Sequence, residues 1–172
     1  MRVIRSTGAA LSVLALVACD PGAISDIETA PAYGTAANGD HRVIGSGHLA
    51  QTAGLREFVF HALQDSDGNA KGSYTITLAS GAFLTVNVTC ISVVGNTGWV
   101  GGIIAETNSS AIRVGSVSYF YAVDNGEGDG GPADRVSSAR INDADGQDLV
   151  FCADRPLALP SFDITDGNVQ VR

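Results

Sequence analysis

"GSYTITLASGAFLTVNVTC", Gly72 to Cys90, alternates apolar and polar residues almost without interruption. Tyr74, Ile76 and Leu78 oppose Ser73, Thr75 and Thr77, and further on Leu84, Val86, Val88 and Cys90 oppose Thr85, Asn87 and Thr89. Successive side chains of an extended chain point to opposite faces, so a period of two marks strands with one face buried and one wet. Ser80 and Gly81 separate the two runs with residues suited to a turn.

The same texture extends in both directions. In "REFVFHAL" Phe58, Phe60 and Ala62 share a face, with Glu57, Val59 and His61 on the other. Hairpin dipeptides recur at Asp67-Gly68, Gly95-Asn96, Asn125-Gly126, Asp145-Gly146 and Asp166-Gly167, where the central residues of a tight turn need positive φ. Softer breaks fall near 52–54 and 107–110. This spacing predicts strands of roughly eight to ten residues, longer than the common length. No long segment carries a helical period, and the chain has 21 glycines. The expected fold is all-β: an antiparallel meander of eight to nine strands, closed or nearly closed as a β-barrel, which removes exposed sheet edges. A two-sheet β-sandwich is the alternative. With one apolar face per strand and aromatics at 6% of residues, a lipid-facing barrel with aromatic girdles is disfavoured.

The N-terminus reads as an address. Arg2 and Arg5 precede an uncharged run from Gly8 to Ala18, too short for the roughly 20 apolar residues of a membrane span. Leu16-Val17-Ala18-Cys19 resembles the lipobox of bacterial lipoproteins, in which cleavage precedes a cysteine that then carries lipid. The expected organisation is a signal peptide at 1–18, a lipidated flexible tether at 19–42 and a single barrel domain at 43–172. The expected location is extracytoplasmic, at a bacterial membrane facing the periplasm or at the cell surface. An ordinary signal peptide with an incidental cysteine is the alternative.

Removing residues 1–18 takes away two arginines and no acids, leaving 8 Lys+Arg against 18 Asp+Glu and a net charge of −10 in place of −8. Such a chain repels phosphate backbones, so no nucleic-acid partner is expected. The expected partner is the membrane, through the lipid alone, with the domain itself monomeric. Lipidation of Cys19 leaves Cys90 and Cys152, either bridged in an oxidising compartment or buried as free thiols. A bridge would close a 62-residue separation and contribute roughly 4 kcal/mol on the loop-entropy model.

The order "GSGHL", "FVFHA", "DGNAKG", "VTCISVVGNTGWVGG", "VDNGEG…PADRVS" and "GNVQV" resembles an uncharacterised family of small secreted bacterial all-β domains, over Gly45 to Val171. The resemblance implies export and an all-β fold and supplies no activity. The chain ends in Arg172 where that family commonly ends in histidine, so no role of that histidine transfers.

Chemistry concentrates in "DNGEGDGGPADR", 124–135. Asp124, Glu127, Asp129 and Asp134 are candidate oxygen ligands for a hard cation such as calcium, should the loop fold back. The competing expectation is a hairpin loop in which Arg135 pairs one of the acids and Asp124 fixes the turn by accepting from following amides. "DSDGNAKGSYTI" and "DADGQD" (Asp143, Asp145, Asp148) lack the closing bidentate acid of a calcium loop. His48 and His61 fall on strands expected to be neighbours, where near-opposite placement would join them for acid–base or metal chemistry. No HExxH, GxSxG or CxxC spacing is present. Trp99 is expected in the core or at its rim, and Gly101-Gly102 at a bulge or close packing. The candidate functional surface is His48, His61, Asp124, Asn125, Glu127 and Arg135. The expected function is a binding or structural module without catalysis and without a resident cofactor. The alternatives are a small-molecule-binding or isomerase/hydrolase-type barrel, or a calcium-stabilised adhesion module.

Overall fold

A computed structural model describes residues 41–51, 54–126 and 131–172. The leader, most of the tether with Cys19, and Glu127 and Asp129 lie outside the described residues. In chain order the elements are β1 (Arg42–Gln51), β2 (Gly54–Gln64), β3 (Ala70–Leu78), β4 (Phe83–Val94), β5 (Thr97–Thr107), β6 (Val117–Val123), β7 (Arg135–Ser137), β8 (Arg140–Asn142), α1 (Gln147–Asp154) and β9 (Ser161–Val171). Each of β1 to β6 pairs antiparallel with the next, β6 pairs with β7, β7 with β9, and β9 with β1. Eight strands therefore close an antiparallel barrel, and the short β8 is added beside β6. The β6–β8 register is offset by one residue from β6–β7, so β7 and β8 follow one edge of β6, parted at Ser138 and Ala139. There the Ser137 hydroxyl accepts from the Tyr121 amide at 2.9 Å.

Alternation places the core. Phe58, Phe60, Ala62, Tyr74, Val86, Val100, Phe120 and Val169 are buried inside the barrel. Phe58, Phe60, Phe120 and Tyr74 form a chain of rings with centroids 5.0 to 5.3 Å apart, a spacing that suits tilted and edge contacts. Gly45 makes room for this chain, because a Cβ there would stand 2.6 Å from the Phe60 ring. What remains empty beside the rings is about 10 Å³, at the lower limit for one water. Around these rings the described interior is packed.

A second, smaller core lies on the outer wall. The Val88–Cys90 step carries a bulge, so β4 changes phase: Val88 and Ile91 point inward and Cys90 outward. The expectation that Cys90 shares the face of Leu84, Val86 and Val88 is thereby corrected, since one extra residue reverses every side chain beyond it. Cys90 meets α1 through a disulfide to Cys152, with Cα atoms 6.2 Å apart. Beside it Phe151 packs with Trp99 and Tyr121, and its ring stacks on Tyr119 at 4.5 Å. Trp99 Nε1 donates to the Pro156 carbonyl at 3.0 Å, and the Tyr121 hydroxyl to that of Leu159 at 3.0 Å. Gly101 permits this approach: a Cβ there would lie 2.8 Å from that of Asp148 and 2.9 Å from the Cys90 sulfur. Gly102 packs as closely, against the Asn87 carbonyl.

Two expected turns proved otherwise. Asp145-Gly146 leads into α1, with Gly146 at φ 77° as its N-cap, rather than into a hairpin. Asp166-Gly167 lies within β9, where Gly167 (φ 97°) faces Gly47 and Thr165 is left out of the register between His48–Asp166 and Leu49–Ile164. A positive-φ glycine serves a strand bulge as well as a hairpin.

Candidate functional site

The acidic loop closes the barrel where strand pairing runs out. Because β7 is only three residues long, β9 beyond Asp163 has no strand on that side. Asp134 takes over: its backbone carbonyl accepts from the Ile164 amide at 2.9 Å, and its Oδ2 from the Val169 amide at 2.8 Å. Oδ1 of the same carboxylate accepts from the Asn125 amide at 2.8 Å. Asp124 continues the row, accepting from Val171 through Oδ2 at 3.1 Å and from Gly126 through Oδ1 at 2.9 Å. Asn125 Nδ2 bridges the loop to the Ala133 carbonyl, and Asn96 holds Asp124 in place through both backbone and side chain. Asp124 thus makes the turn expected of it, and reaches β9 as well. Asp134 is only 6% exposed.

Among the described residues Arg135 pairs with an acid outside the loop. Its Nε pairs with Asp163 of β9 at 3.1 Å, and its guanidinium also donates to the Ser161 carbonyl. Among the described residues no cluster of three His, Cys, Asp or Glu side chains is placed to hold a metal ion. Of the acids in "DADGQD", Asp148 is 2% exposed and accepts from the Thr89 hydroxyl, locking α1 to the bulge of β4.

The two histidines are not brought together. His48 stands opposite Glu57, whereas His61 stands opposite Ile44, four positions along β1 and about 13 Å away at a strand's rise. Adjacent strands were rightly expected, but register depends on the β1–β2 turn, which alternation does not encode. His48 Nδ1 lies 2.7 Å from Asp166 Oδ1 on the outer face. This hydrogen bond, opposed by slight desolvation and aided by the charges of Asp166 and Glu57, raises the His48 pKa above its ordinary 6.5. His61 is shifted the other way, lowered by burial.

A raised folded-state value means that the His48 contribution is fully present below the unfolded pKa and is lost as pH rises through the folded one. Asp166→Asn removes the largest cause, so the His48 pKa is expected to fall toward the ordinary value. A two-dimensional NMR titration of the imidazole checks this, and an unchanged midpoint would contradict the pairing.

At the barrel end opposite the acidic loop, the β3–β4 turn, the segment after β5 and β8 surround an apolar cavity of about 160 Å³. Leu78, Phe83, Leu84, Ile112 and Ile141 line it, together with Arg56. Arg56 has the parity of Phe58, Phe60 and Ala62, and faces Leu49 and Leu78 across the strands. The chain enters and leaves at the other end, where Arg42 and Arg172 exchange backbone hydrogen bonds of 2.6 and 3.0 Å. Reading "REFVFHAL" only from Phe58 overlooks this arginine, although a strict period of two places it on the inner face.

No family model matches the chain, and neither the curated proteins nor the solved structures compared with it give a match.

Proposed function

We propose that the protein is a lipid-tethered bacterial domain held outside the cytoplasm, acting as a binding or structural module rather than as an enzyme. Support for the module comes chiefly from the packed interior: aromatic rings occupy the space in which a wide barrel would hold a substrate, leaving about 10 Å³. The hydrogen bonding of the loop acids adds to it, because Asp124 and Asp134 direct their oxygens to backbone amides. Support for the location comes from the lipobox-like Leu16 to Cys19, the short apolar run before it, and a Cys90–Cys152 bridge consistent with an oxidising compartment.

On this reading the lipid is attached through the segment that precedes β1 in the chain, and the apolar mouth lies at the barrel end away from the start of β1. Metabolic labelling with a radioactive fatty acid in a bacterial host, followed by fractionation, tests it. Wild-type protein is expected to take up label and sediment with membranes, and Cys19→Ser to be unlabelled and soluble. Equal fractionation and no label in either would overturn the anchor.

A further inference from the structure

We infer that the apolar mouth of the barrel is a binding site for a small amphiphilic carboxylate, with Arg56 as the residue that receives the charged end. The inference rests on the binding half of the function proposed above and is independent of the lipid anchor.

Arg56 breaks the pattern of its own strand. Phe58, Phe60 and Ala62 continue its parity into the core, at 3%, 2% and 0% exposure. Its strand neighbours Leu49 and Leu78 are both apolar. A cation in such surroundings is normally paired, because burying it without a partner is unfavourable. Among the described residues no carboxylate pairs with Arg56, and on the outer face Asp163 pairs with Arg135 and Asp166 with His48. Half-buried at the mouth, Arg56 lines both the small void beside Phe58 and the larger cavity outside it.

That larger cavity supplies the other half of a ligand. Among the described residues its walls are aliphatic or aromatic apart from Arg56, and carry no acid that would repel an anion. At about 160 Å³ it is below the usual range for drug-sized ligands, which limits it to a small molecule or the head end of a chain. Planar bidentate recognition is what arginine offers a carboxylate, and lysine reproduces it poorly. An apolar body against Leu78, Phe83 and Ile112 with a carboxylate on Arg56 satisfies both features at once.

The test uses the exported full chain carrying Cys19→Ser, with isoleucine methyls labelled for NMR. Octanoate, 1-octanol and acetate are titrated separately at pH 7. Octanoate is expected to shift the methyls of Ile76, Ile112 and Ile141 saturably, octanol to bind at least about tenfold more weakly, and acetate to leave them unmoved. Arg56→Met is expected to keep the fold, weaken octanoate about tenfold or more, and erase the preference over octanol; Arg56→Lys is expected to restore only part of it. The absence of a saturable octanoate shift in the Cys19→Ser chain would overturn the inference, as would equal affinity for octanoate and octanol. Fatty-acid labelling at Cys19 is read separately, so failure here leaves the anchor to its own test.

Discussion

Asp134→Ala is expected to lower stability by about 3 to 5 kcal/mol, measured as a shift in the urea midpoint at pH 7. The substitution removes one side chain from the barrel seam, makes no apolar cavity in the core and introduces no clash, so a loss of that size has to come from hydrogen bonds. The two carboxylate oxygens receive the amides of Asn125 and Val169, both at 2.8 Å, in a setting where Asp134 is 6% exposed. Each bond to an ionised acceptor contributes about 1.5 to 3 kcal/mol, and its removal leaves a shielded amide without a partner. Asp134→Asn keeps the size of the side chain but turns an NH₂ toward one of the amides. A loss of about half as much is therefore expected. Calcium at millimolar concentration is expected to change neither value, since the carboxylate is directed to amides.

Replacing Cys90 and Cys152 together by Ala is expected to destabilise by about 4 kcal/mol, because the bridge constrains an unfolded-chain loop across a separation of 62 residues. The native consequences are local. The disulfide joins the outward side of β4 to α1, and the helix is otherwise held by Phe151 against Trp99 and Tyr121 and by Asp148 on Thr89. The barrel rungs do not pass through it. In the double variant, Trp99 fluorescence is expected to report loosening of α1 before the sheet unfolds. Reducing agent should shift the wild-type midpoint to that of the variant and leave the variant unchanged. A midpoint insensitive to reduction would show that the bridge does not stabilise the fold.

How far these features could be read from the sequence depends on range. Alternation through Tyr74, Ile76 and Leu78, and through Phe58, Phe60 and Ala62, is a local signal, and it identified the inner faces and with them the all-β barrel. The bulge at Thr89 was not legible, because "VNVTCISVV" alternates plausibly on either phase and only the register with β5 decides it. Nor was α1: at eight residues it makes about two turns, begins on a glycine without a side-chain cap, and draws its stability from packing and the disulfide. The acidic loop illustrates the same limit. Its composition advertised oxygens, and the proximity of the unpaired edge of β9, more than thirty residues downstream, explains what Asp124 and Asp134 do with theirs. Arg56 is the opposite case: its parity is present in the sequence, whereas its significance lies in the cavity beside it, which the fold alone creates.

The claim on which the rest depends is that carboxylates from the loop complete the barrel seam in place of strand pairing. Amide hydrogen exchange at Val169 and Val171, read by NMR, addresses it directly. In wild type the Val169 amide is expected to exchange as slowly as amides of the central strands, and Asp134→Ala to accelerate it selectively, with β3 and β4 amides changing only by the global loss of stability. Rapid exchange at Val169 in the wild-type protein, or equal acceleration across all strands in the variant, would contradict the account.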